Sequence, residues 1–102
     1  MAYTETVTRE RTQNKEKLKR PSMYVVVVHN DPFTPRQFVV DVLTRIFAKT
    51  PGEAAKIMLL AHNYGVGVVS KYTREIAETK SSTANEYARD QGFPLNFTYE
   101  EE

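Results

Sequence analysis

The chain has 102 residues, of which 40% are hydrophobic, with a net charge of +1 and no cysteine. Such a length buries one modest core, so a single domain is expected and two are not. The missing thiols exclude disulfide scaffolds, zinc ribbons, iron–sulfur clusters and thiol catalysis, and the near-neutral charge supplies no global field toward nucleic acid.

Residues 1–20 are polar and charged, carry Tyr3, Val7 and Leu18 as their sizeable apolar groups, and end at Pro21. Burial there could not offset the entropy of ordering, which predicts a flexible N-terminal arm ahead of a folded domain over 21–102. A short helix over 12–20 would carry charge on every face. The segment lacks the apolar core of a secretory signal, and no later run nears the roughly 20 apolar residues that span a bilayer. A soluble cytoplasmic protein is the expectation.

Tyr24 to Val28 is a β-branched and aromatic run of strand length, and its lack of alternation predicts a strand that is covered on both faces or central in a small sheet. Thr34-Pro35-Arg36-Gln37 then reads as a helix start, with Thr34 as cap, Pro35 in the first turn and Gln37 reaching back. Phe38, Val39, Val42, Leu43, Ile46 and Phe47 follow at helical spacing and leave Asp41, Arg45 and Lys49 for water.

Thr50-Pro51-Gly52-Glu53 repeats that grammar. A second helix is predicted, with Ala54, Ile57, Met58, Ala61 and Tyr64 as its buried stripe and Gly65 as a left-handed stop. Val66 to Tyr72 returns to strand composition, and Gly67 marks a place where a neighbour approaches closely. Thr73 can cap a third helix carrying Ile76, Ala77, Ala84, Tyr87 and Ala88 and ending near Gly92. Leu95 to Tyr99 alternates as a half-buried strand before the acidic end Glu100 to Glu102. The order βααβαβ predicts an α+β domain in two layers, a small three-stranded antiparallel sheet covered by three helices.

Enzyme chemistry finds little support. The serines (Ser22, Ser70, Ser81, Ser82) form no nucleophile elbow, and only His29 and His62 are available as bases. A metal site would draw on His29, Asp31 and His62 without a histidine pair at i,i+4 and without a fourth ligand, so no metal and no cofactor are expected. Nucleic-acid binding would rest on the basic residues among 1–20 alone. Binding of a protein or peptide is what survives.

Asn30-Asp31-Pro32 is ordinary turn chemistry, and His62, at the border of the second helix's buried stripe, has an ordinary structural reading. Together they suggest more. A strand-to-helix turn and the edge of the next helix can converge, bringing an amide oxygen, a carboxylate and an imidazole near one point. An ammonium group has three N–H donors and no acceptor, so three such acceptors would suit the α-amino group of a protein N-terminus.

Pro21-Ser22-Met23-Tyr24, Asn30-Asp31, Thr34-Pro35, Phe38-Val39-Val40-Asp41-Val42-Leu43, the Met58 to His62 segment, Ile76-Ala77-Glu78-Thr79-Lys80 and Pro94-Leu95 occur in unbroken order. By these the chain resembles the ClpS family, adaptors that recognise N-terminal degradation signals and hand their owners to an AAA+ unfoldase of the ClpA or ClpC type. The resemblance implies that Asn30, Asp31 and His62 hold the α-amino group. It maps a hydrophobic side-chain pocket onto Val28, Thr34, Val39, Met58, Ala61 and Leu95, with Arg36 at the rim, and implies binding of a first residue such as Phe, Tyr, Trp or Leu. It puts the unfoldase contact on Phe33, Glu75, Glu78 and Lys80 and implies a non-catalytic adaptor, expected as a monomer. The rival expectation is a domain that docks on the unfoldase and modulates it without reading N-termini.

Two departures fall at the site. Pro32 stands where the family commonly has a second aspartate, and Arg36 where a methionine is common. Ala61, in place of a larger aliphatic, should deepen the pocket. These changes predict a preference for Phe, Trp and Tyr over Leu, and resemble the divergent second copies found beside an ordinary ClpS, or an engineered variant.

Overall fold

The structure is a computed structural model that describes residues 21–102; the arm expected over 1–20 lies outside the described residues. Its elements run β1 (Met23–His29), α1 (Arg36–Arg45), α2 (Pro51–Tyr64), β2 (Val66–Thr73), α3 (Arg74–Asp90) and β3 (Asn96–Glu101). β1 is the central strand, paired antiparallel with β2 on one side and β3 on the other. This explains its unbroken valines, because a strand flanked on both sides loses most of its surface to neighbours. Even Val27, which faces away from the helices between Val68 and Thr98, is only 9% exposed.

The helices cover the other face. Val26, Val28, Val42, Leu43 and Phe97 are the largest fully buried side chains, each contributing roughly 1.5 to 3 kcal/mol by leaving water. Phe47 stacks on Phe97 with ring centroids 5.2 Å apart, and Phe38 contacts Phe93 at 4.7 Å and Tyr87 at 5.3 Å, joining α1 to α3.

α2 starts as its sequence predicts. Glu53 N–H donates to the Thr50 hydroxyl at 3.2 Å, Thr50 N–H donates back to the Glu53 carboxylate at 3.0 Å, and Gly65 ends the helix at φ 90°. Gly67 on β2 lies hard against α2: a Cβ there would stand 2.8 Å from the Ile57 carbonyl oxygen.

Several expectations are corrected. Thr34 does not cap α1; the N-cap is Pro35, no side chain caps it, and Gln37 forms no box. The Thr34 hydroxyl instead donates to the Asp31 carboxylate, a partner three residues back that engages it before the helix begins. Tyr64 is 76% exposed, because it closes the last turn of α2 where the chain leaves for β2. Ile76 is 47% exposed; the inward stripe of α3 is Ala77, Ser81, Ala84 and Ala88, small groups that let the helix approach the sheet. β3 runs on through Glu100 and Glu101, whose backbones pair with Val25 and Tyr24 whatever their side chains prefer. Asp41 is not left to water. Its carboxylate accepts from Arg45 at 2.6 Å and from the Tyr87 hydroxyl at 2.9 Å, tying α1 to α3.

Among the described residues no helix is long and apolar enough to cross a membrane.

Candidate functional site

β1 delivers Val28 to the core and then releases the chain into the loop that leads to α1. Asn30 N–H donates to the Gly65 carbonyl at 2.9 Å, so the start of this loop is pinned to the C-terminal end of α2. Asp31 organises the rest. Its carboxylate accepts from Phe33 N–H at 3.2 Å and from the Thr34 hydroxyl, an Asx turn closed by Thr34 N–H on the Asp31 carbonyl at 3.3 Å. A carboxylate offers about four lone-pair positions, so Asp31 keeps acceptor capacity beyond the two bonds spent on its own loop. Pro35 then fixes φ at −61° for entry into α1.

A cavity of about 330 Å³ opens beside this loop. Its floor is apolar: Val28 from β1, Val39 from α1, Ala61 from α2 and Leu95 from the approach to β3 are buried, and Met58 is half-buried. The exposed Asn30, Arg36 and His62 and the half-buried Asp31 make its outer, polar part, and the buried Thr34 lines it as well. A dry cavity of about 150 Å³ suffices for benzene. Twice that volume accommodates an aromatic side chain together with the backbone that carries it.

At the mouth, the Arg36 guanidinium meets His62 Nε2 at 2.7 Å. Arginine has no acceptor, so this nitrogen is the imidazole's lone-pair side, and a neutral His62 carries its proton on Nδ1.

All ten residues expected to form the amine site and the side-chain pocket border this one cavity, although they come from three elements and two loops. Pro32, expected at the site as a departure from the family, borders it too, and so do His29 and Pro35, which were not expected in the pocket. Pro35 carried a signal, since it stands at the helix entry; His29 carried none for the pocket, and its Nε2 is engaged with the Thr98 hydroxyl at 2.8 Å. Asn85 was missed as well. Its side-chain amide donates to the Phe97 carbonyl at 3.0 Å and accepts from Phe97 N–H at 2.7 Å, fixing β3 and with it the neighbouring Leu95. A helix asparagine reads as solvent-facing unless its partner strand is known.

The residues expected to meet an unfoldase lie elsewhere. Phe33 is 78% exposed at the tip of the β1–α1 loop, and Glu75 and Glu78 are exposed on α3. Lys80 turns inward: its ammonium donates to the Ile46 carbonyl at 2.9 Å, satisfying the end of α1, and lies 5.6 Å from the Tyr72 ring centre. Among the described residues no three His, Asp or Glu side chains are grouped to hold a metal ion.

Residues 19–98 match the family described as ATP-dependent Clp protease adaptor protein ClpS. The ClpS adapter of Lawsonia intracellularis is 51% identical over 87 residues, spanning 85% of this chain and 80% of that one. The ClpS adapter of Desulforapulum autotrophicum is 45% identical over the full length of both. Among solved structures, Agrobacterium tumefaciens ClpS2 bound to L-phenylalaninamide superposes with a TM-score of 0.79 at 42% identity, covering 81% of this chain and all of that one.

Proposed function

Because the chain belongs to the ClpS family of Clp protease adaptors, we propose that it recognises proteins by a free N-terminal α-amino group and a bulky hydrophobic first side chain, and delivers them to a Clp unfoldase-protease. The cavity with an apolar floor and three acceptors at its mouth is the observation that carries this reading. The phenylalaninamide held by the Agrobacterium relative is a ligand of that kind, an aromatic side chain with a free amine.

In this reading Asn30, Asp31 and His62 accept hydrogen bonds from the ammonium, and Val28, Thr34, Val39, Met58, Ala61 and Leu95 enclose the side chain, with Arg36 over the entrance. The adaptor acts without catalysis, as a monomer in the cytoplasm, with 21–102 as its folded domain and 1–20 as the arm that precedes it. Phe33, Glu75, Glu78 and the Lys80 corner of α3 form the face offered to an unfoldase of the ClpA or ClpC type. Ala61 gives the pocket depth, which favours Phe, Tyr and Trp over the shorter Leu.

Burial of one aromatic side chain contributes roughly 2 to 3 kcal/mol, and a charge-assisted hydrogen bond about 1.5 to 3. Micromolar binding needs about 8 kcal/mol, so side chain and amine must act together. Calorimetry with a Phe-initiated peptide and its N-acetylated twin tests this. The acetylated peptide should bind about tenfold to a hundredfold more weakly. Equal affinity would favour a domain that only docks on the unfoldase.

A further inference from the structure

The bond between Arg36 and His62 places a cation of the protein itself on the acceptor that the proposed reading gives to the incoming ammonium. A neutral imidazole has one lone pair, and guanidinium and ammonium are both pure donors, so the two cannot occupy Nε2 together. We propose that Arg36 is a specificity determinant: it latches onto His62 in the empty pocket, and it selects N-termini whose second residue is Asp or Glu. This rests on the assignment of His62 to the amine site.

Arg36 is exposed and, among the described residues, makes no ion pair with a carboxylate; both Asp31 oxygens accept from their own loop instead. An entering N-terminus therefore removes the guanidinium's hydrogen-bond partner and leaves two cations side by side at the mouth. Consecutive Cα atoms are about 3.8 Å apart, so a ligand whose amine sits at His62 starts its second side chain only one residue further on, at the mouth that Arg36 borders. A carboxylate there can take two parallel N–H bonds from arginine and screen it from the ammonium. A lysine would add a third positive charge.

The test is calorimetry on the full chain with peptides that begin Phe-Asp, Phe-Ser and Phe-Lys and are otherwise identical, each beside its acetylated twin, using wild type and Arg36→Met. In the wild type, Phe-Asp should bind about threefold to tenfold more tightly than Phe-Lys at low salt, and the gap should shrink as salt is raised. Arg36→Met should close that gap and bind Phe-Ser more tightly than the wild type does. The same spread in Arg36→Met, or weaker Phe-Ser binding by it, overturns the latch while leaving the amine site standing; the latter result would instead make Arg36 a lid stacked on the aromatic ring. Loss of any difference between free and acetylated peptides in both proteins removes the amine site, and the latch with it.

Discussion

Gly67→Ala should lower stability and loosen the pocket in one step. Gly67 is buried on the core face of β2 opposite Val28. An added Cβ would stand 2.8 Å from the Ile57 carbonyl oxygen, 3.3 Å from Ala61 N and 3.4 Å from Ala61 Cβ. Two of these three atoms are backbone, so relief requires α2 or β2 to move. With no positive φ at Gly67, the entropic effect of Gly→Ala alone would stabilise by about 0.4 to 1 kcal/mol. Overpacking costs about 1 to 3 kcal/mol, so the net cost is at most about 2.6 and, with two rigid backbone atoms in the clash placing it in the upper half of that range, roughly 1 to 2. For a domain of this size that lowers Tm by about 4 to 16 °C. The displaced helix carries Met58, Ala61 and His62, so affinity for a Phe-initiated peptide should fall as well. Gly52→Ala is the control: nothing lies within 4 Å of its Cβ, and alanine is the better helix residue by about 0.5 to 1 kcal/mol. Thermal melts and calorimetry on both variants decide the matter. A Gly67→Ala protein that melts at or above the wild-type temperature and binds as well would refute the account of β2 packing against α2.

His62→Ala should abolish most peptide binding while leaving Tm within about a degree, because an exposed side chain with Arg36 as its sole hydrogen-bond partner among the described residues adds little to stability; docking to the unfoldase should persist in a pull-down. Ser81→Ala should raise Tm by a few degrees, since the Ser81 hydroxyl is buried without a hydrogen-bond partner among the described residues and its removal is worth about 1 kcal/mol. Asp41→Asn should cost about 1 kcal/mol or less, as expected of a partly exposed ion pair screened by water. The Arg45 guanidinium holds the Asp41 carboxyl below the usual carboxylate range, against the opposing effect of partial burial and with help from the Tyr87 hydroxyl. A carboxyl lowered in this way contributes stability that is present above its unfolded value and lost as pH falls through the folded one. Acid melts of the wild type and Asp41→Asn should therefore converge at low pH and separate above about pH 4.

Features written in one local stretch were legible in the sequence. The switch from unbroken valines to helical spacing located β1 and α1, and the capping box at Thr50 and Glu53 with Gly65 bracketed α2 correctly because each cap closes within a few residues. Where two local grammars competed, sequence reading failed: Thr34 had both Asp31 and the helix end as partners, and the carboxylate prevailed. Apolar character misled for Ile76, since the space between α3 and the sheet admits alanines and Ser81 rather than a longer side chain. Among the candidate site residues, Asn30 and Asp31 were marked by turn chemistry, whereas the contact between Arg36 and His62 joins two helices across 26 positions of sequence. No periodicity encodes such a pairing; only packing does.

The cavity floor joins Val28, in the first strand, to Leu95, beside the last. A ligand seated there, as the proposed function has it, would work as a temporary cross-link between the two ends of the domain. Since such a ligand binds only the assembled form, at a hundred times its Kd it adds about 2.7 kcal/mol against global unfolding. Occupied and empty molecules thus differ in how readily they unravel when tugged from either terminus, an asymmetry that protects the carrier rather than the cargo beside a machine that pulls chains apart.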